Sequence, residues 1–128
     1  MRKVLLVEDD KKFRLLFRRL LEKRFDLNVI EAEDGVSGLE LYQNEKPQMI
    51  FVDIEMPNMN GDEFIDKIRN VDSEIPIIVL TNHNEKDFVK SILDKGVCDY
   101  VLKTEFVIYL GERVSDIIKR NKRTLLSK

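Results

Sequence analysis

The chain alternates between two hydrophobic periods. Val4-Leu5-Leu6-Val7 is a continuous apolar run that ends abruptly in Glu8-Asp9-Asp10. Phe13, Leu16, Phe17, Leu20 and Leu21 then recur at helical spacing with Arg and Lys between them, the stripe of an amphipathic helix laid on a core. The same alternation continues. Leu27 to Ala32 reads as a second strand, and Asp34-Gly35 opens a helix carrying Val36, Leu39 and Tyr42. Met49-Ile50-Phe51-Val52 runs into Asp53; beyond a loop rich in Pro, Asn and Gly, Phe64, Ile65 and Ile68 mark a third helix. Ile75 to Leu80 is the fourth strand, closed by Thr81. Asn84 is placed as the N-cap of a fourth helix through Lys95, with Gly96 as its left-handed terminator. Cys98 to Leu102 is the fifth strand and ends at Lys103. Val107, Leu110, Val114, Ile117 and Ile118 share one face of the last helix.

Five strands alternating with five helices predict an α/β fold, a doubly wound parallel sheet with helices on both faces. The first, third and fourth runs are uniformly apolar and belong in the centre. The second and fifth carry Asn28, Glu31 and Asp99 and belong at the edges. The flavodoxin-like strand order 2-1-3-4-5 satisfies both conditions. With 128 residues the chain is one domain. In such sheets ligands bind beyond the carboxyl ends of the strands, at the switch point between the first and third. Glu8, Asp9, Asp53, Thr81 and Lys103 converge there, from four separate segments.

Composition narrows the chemistry of that rim. Lys plus Arg total 22 against 24 Asp plus Glu, a net charge of −2 that calls for neither nucleic acid nor an anionic membrane. A single cysteine, Cys98, excludes an intrachain disulfide and suits a reducing, cytoplasmic compartment; a single histidine, His83, excludes a multi-histidine zinc site. No apolar run approaches the ~20 residues of a membrane span. Crowded carboxylates repel, and a site that keeps them usually has a cation to neutralise them. An all-oxygen cluster selects Mg²⁺ or Mn²⁺, and a neighbouring hydroxyl and ammonium suit phosphate oxygens.

Taken together, Val4-Leu5-Leu6-Val7-Glu8-Asp9-Asp10, Asp53-Ile54-Glu55-Met56-Pro57-Asn58-Met59-Asn60-Gly61, Thr81 and Tyr100-Val101-Leu102-Lys103 resemble the receiver domain of two-component response regulators, the chemotaxis regulators included. The resemblance implies a receiver over residues 1–122, with 123–128 a basic tail or the start of a linker. It makes Asp53 the phospho-acceptor. Asp9 and Asp53 would ligate Mg²⁺, or Mn²⁺, with Glu8 acting through water and the Glu55 backbone carbonyl completing the shell. Thr81 and Lys103 would bind the phosphoryl oxygens, and Tyr100 matches the switch aromatic that follows Thr81. Glu55 and His83 hold the two variable positions that influence hydrolysis. The implied role is a signalling receiver rather than an enzyme, catalysing only its own aspartyl phosphorylation and slow dephosphorylation.

The implied donor is a phosphohistidine on a sensor histidine kinase or a histidine phosphotransfer protein. The implied output is a shift of the face made by the fourth helix, fifth strand and fifth helix. That helix has a thin apolar stripe, Phe88, Ile92 and Leu93, and the fifth helix opens with surplus apolar residues at Phe106, Ile108 and Tyr109. Phosphorylation-dependent homodimerisation or partner binding through this face is the expectation, with nucleic acid a partner only through an output domain outside this chain. Four positions depart from the family's usual pattern: Thr104 stands where proline is usual after Lys103, Asn82 where a small residue is usual, and Glu55 and His83 occupy the two variable positions flanking the site. A trans Lys103–Thr104 peptide is expected. The alternative is a pseudo-receiver that binds partners without phosphorylation. An aspartyl phosphatase of the haloacid-dehalogenase type needs Asp-x-Asp on its first strand, and a flavodoxin needs a Ser/Thr/Gly-rich loop there; this chain has neither.

Overall fold

The computed structural model describes residues 2–83, 85–103 and 110–121, without the side chains of 110, 111 and 113. The expected Asn84 cap, the Lys103–Thr104 peptide, the apolar start of the last helix at 106–109, the Leu110 side chain and the 123–128 tail lie outside the described residues. Elements alternate as β1 (Lys3–Val7), α1 (Lys11–Phe25), β2 (Asn28–Ala32), α2 (Gly35–Glu45), β3 (Met49–Asp53), α3 (Gly61–Val71), β4 (Ile77–Thr81), α4 (Lys86–Leu93), β5 (Asp99–Leu102) and α5 (Leu110–Arg120). The strands form one sheet in the order β2-β1-β3-β4-β5, every pair parallel. Apolar β1, β3 and β4 are the interior strands, as expected of runs buried on both faces.

Side-chain alternation along the strands sorts the core into two halves. Val4, Leu6, Phe51, Ile78, Leu80 and Val101 face α1 and α5, packing on Phe17, Leu21, Val114 and Ile117. Leu5, Val7, Ile50, Val52, Ile77 and Val79 face α2, α3 and α4, packing on Phe64, Ile65, Ile68 and Ile92.

Local details depart from the sequence pattern in four places. Strand pairing of β4 starts at Ile77 rather than Ile75, and Pro76 serves as an acceptor, its carbonyl taking the Ile50 N–H at 2.9 Å. Leu16 is exposed, because one residue of helix is about 100° of rotation and Leu16 stands that far from buried Phe17; Val36 is exposed as well. The fourth helix is shorter than its pattern suggests and begins after Glu85, which makes no side-chain cap. Its anchoring is thin as expected. Ile92 is its one fully buried residue, Phe88 is half-buried and Leu93 is exposed. Gly96 leaves it with φ of +83°, the left-handed turn that favours glycine.

Candidate functional site

Strand periodicity places the site's charges. Glu8 continues the row Val4-Leu6, Asp53 the row Met49-Phe51, and Lys103 follows Val101, so all three rise from the α1/α5 side of the sheet. Thr81 and Tyr100 belong to the other row. Tyr100 packs half-buried against the α2/α3/α4 core. At the rim the Lys103 Nζ lies 2.8 Å from Glu8 Oε1 and 3.3 Å from Asp53 Oδ2. Glu8, Asp9 and Asp53 each bring a carboxylate oxygen within 4.8 Å of the others. Glu8, Asp53 and Thr81 are buried, and Asp9 is exposed at the mouth. The structure thus joins Glu8 and Asp53 directly through Lys103 and sets the Asp9 carboxylate beside them. The Thr81 hydroxyl oxygen instead accepts the His83 backbone N–H at 2.9 Å.

Backbone groups hold the carboxylates in place. Asp53 Oδ1 accepts the Glu55 N–H at 3.1 Å, and Glu8 Oε2 accepts the Asp10 N–H at 3.0 Å. Asp10 itself caps α1, its side chain accepting the Lys12 and Phe13 N–H groups. Gly61 folds the loop after β3 back, its N–H donating to the Ile54 carbonyl at 3.0 Å. A Cβ there would stand 2.6 Å from both the Asp53 carbonyl oxygen and Ile54 Cα, neither of which can rotate away. Gly61→Ala is therefore expected to cost about 1–3 kcal/mol of stability in urea unfolding. An unchanged midpoint would show that the loop yields freely.

The electrostatics are unbalanced. Burial, then the charge and hydrogen bonding of Glu8, push the Asp53 carboxyl up to about 8, against the opposing pull of Lys103 and the Glu55 N–H. Burial acts to lower the Lys103 ammonium, but Glu8 and Asp53 together outweigh it and leave it raised. Among the described residues the two buried acids share the single, mostly buried ammonium of Lys103, so negative charge is in excess at the rim. Oxygen-only donors of this kind fit a small hard divalent ion and not a thiolate- or imidazole-seeking one.

Three contacts here were not anticipated from the residues. Arg14 donates to the Glu8 carbonyl at 2.7 Å and to Glu31 at 3.1 Å, tying α1 and β2 to the acidic loop. The Phe13 ring lies under the Lys103 ammonium. His83 is bound to Glu55 through Nε2, lies 3.5 Å from Glu85 through Nδ1, and tilts against the Phe88 ring at 4.8 Å. Arg14 and Phe13 were legible only as helix residues, although their place in the first turn of a helix that starts at the rim was the available signal.

The family model for the response regulator receiver domain matches residues 4–114. The chain is 31% identical over 117 residues to the chemotaxis protein CheY of Halobacterium salinarum, spanning 91% of this chain and 97% of that protein. It is 33% identical over 122 residues to histidine kinase P4 of Formosa agariphila, spanning 94% of this chain and 9% of the kinase. The crystal structure of the Mn(2+)-bound form of response regulator Rcp1 superposes with a TM-score of 0.78 at 26% identity, covering 93% of each chain. This chain belongs to the response regulator receiver domain family, the signalling module of two-component systems. No helix among the described residues is long and apolar enough to cross a membrane.

Proposed function

We propose that the protein is a phosphorylation-dependent switch that takes a phosphoryl group onto Asp53 from a phosphohistidine of a sensor histidine kinase or histidine phosphotransfer protein. The observation that carries this reading is a buried acceptor carboxylate set between a second buried acid, Glu8, and the Lys103 ammonium. Asp9 and Asp53, with Glu8 behind them, would hold Mg²⁺ or Mn²⁺, which when bound neutralises charge on the transferring phosphoryl oxygens. The Mn(2+)-bound relative supports that choice of ion.

The residues of the chain supply the rest. The Glu55 N–H on Oδ1 and Lys103 on Oδ2 fix the Asp53 carboxylate in its attacking orientation. An Asp53 oxygen forms the new O–P bond as the N–P bond of the donor breaks. The electron pair returns to a ring whose other nitrogen carries a proton, so neutral imidazole leaves and an acyl phosphate remains. Lys103 then pairs with the phosphoryl oxygens, and the Thr81 hydroxyl turns to donate its O–H to them. Tyr100 would turn inward in the same step and reshape the α4, β5 and α5 face, through which a homodimer or a partner would assemble.

Incubation with acetyl phosphate tests this reading. One phosphoryl group should appear by intact-mass spectrometry with Mg²⁺ and none with a chelator. Labelling that ignores the chelator would contradict the metal site, and no labelling under either condition would favour the pseudo-receiver.

A further inference from the structure

Lys103 is held by more than charge. Its Nζ lies 4.8 Å from the centroid of the Phe13 ring, and its side chain is only 11% exposed. Phe13 is itself fixed. Its backbone N–H bonds to Asp10 Oδ1 at 3.3 Å, its ring stacks on Phe17 at 5.7 Å, and Phe17 meets Phe51 edge-on at 5.1 Å. Phe51 precedes Asp53 by two positions on the same row of β3. A train of three rings therefore references the seat of Lys103 to the strand that carries Asp53.

We infer that Phe13 is a positioning residue for Lys103, its ring face supporting the ammonium at the rim throughout phosphoryl transfer. This rests on the reading of Lys103 as the cation that meets the phosphoryl group. The carboxylate partners of Lys103 change during that cycle, because a bound cation would draw on Glu8 and Asp53, and phosphorylation converts the Asp53 carboxylate to an acyl phosphate, a mixed anhydride without the carboxylate charge. A lysine has a flexible four-carbon stem and no preorganised fork, so with weakened partners it swings. The ring keeps its quadrupole in every state, and a desolvated ammonium over a ring face is the favourable case.

A cycle of variants separates positioning from packing. Phe13→Leu keeps an apolar side chain and removes the π face; Phe13→Tyr keeps the face. Phosphorylation rate from acetyl phosphate and beryllofluoride affinity are measured together with Mg²⁺ affinity by calorimetry. Phe13→Leu should lose about tenfold in rate and in beryllofluoride affinity, the loss expected for a buried cation–π contact. Its Mg²⁺ affinity should stay within about twofold of wild type, and Phe13→Tyr should match wild type on every measure. In the Lys103→Ala background Phe13→Leu should have no further effect on rate. Should Phe13→Leu fold poorly, pentafluorophenylalanine at position 13 keeps the ring and reverses its face potential, and should show the same loss. A wild-type rate in Phe13→Leu, a parallel loss of Mg²⁺ affinity, or additive effects in the cycle overturns the inference. A Lys103→Ala protein that phosphorylates like wild type overturns the reading of Lys103 beneath it, which distinguishes the two failures.

Discussion

Lys103→Ala should unfold more easily in the absence of metal, by about 3 kcal/mol or more, and should lose most phosphorylation. Lys103 is the cation paired with two buried acids, at 2.8 Å from Glu8 and 3.3 Å from Asp53. Removing one partner of a buried pair strands the other charge, the case in which ion-pair mutations cost about 3–5 kcal/mol. Attraction is not otherwise the rule here. Exposed pairs such as Lys3–Glu45 contribute about 0–1 kcal/mol. Thermal unfolding in chelator checks the first half of the expectation, and Mg²⁺ should recover part of the loss by neutralising the same acids. Equal stability of variant and wild type would mean that the acids are already protonated or hydrated.

Asp53→Asn should shift stability the other way. Its carboxyl is pushed up to about 8 by burial and by Glu8, above the ~3.9 of an unfolded chain. A group raised on folding contributes its full stability below the unfolded value and loses it as pH rises through the folded one. Metal-free wild type should therefore weaken between pH ~4 and ~8, whereas the asparagine variant escapes that loss. The variant should be more stable by about 1–3 kcal/mol at pH 8 and no more stable near pH 4. Mg²⁺ at ten times its Kd should stabilise wild type by about 1.4 kcal/mol, and the variant by less. A lower melting temperature for metal-free Asp53→Asn at pH 8 would contradict the crowding of Glu8, Asp9 and Asp53.

Much of this was legible in the residues because strand chemistry is local. Runs such as Val4–Val7 and Met49–Val52 announce buried central strands, and the polar residue that ends each run marks the rim where ligands bind. The alternation of two explains why Glu8, Asp53 and Lys103 meet while Thr81 bonds elsewhere, a distinction that a shared rim alone does not reveal. Less could be read where packing decides. Leu16 fits an apolar spacing, yet its rotation from Phe17 leaves it outside. His83 stood alone in the chain, and its ties to Glu55, Glu85 and Phe88 depend on how the β4–α4 connection crosses the mouth of the site. Phe13 read as core and proved to sit beneath an ammonium, since helix spacing reports burial and not what else shares the buried face.

The central claim is that Asp53 accepts the phosphoryl group, and chemical mapping of the labelled residue tests it most directly. Borohydride reduces an aspartyl acyl phosphate to homoserine. After treatment with acetyl phosphate and Mg²⁺, peptide mass spectrometry should find homoserine at position 53 alone, and Asp53→Asn should carry no label. Homoserine at Asp9 or another carboxylate, or undiminished labelling of Asp53→Asn, would contradict the account.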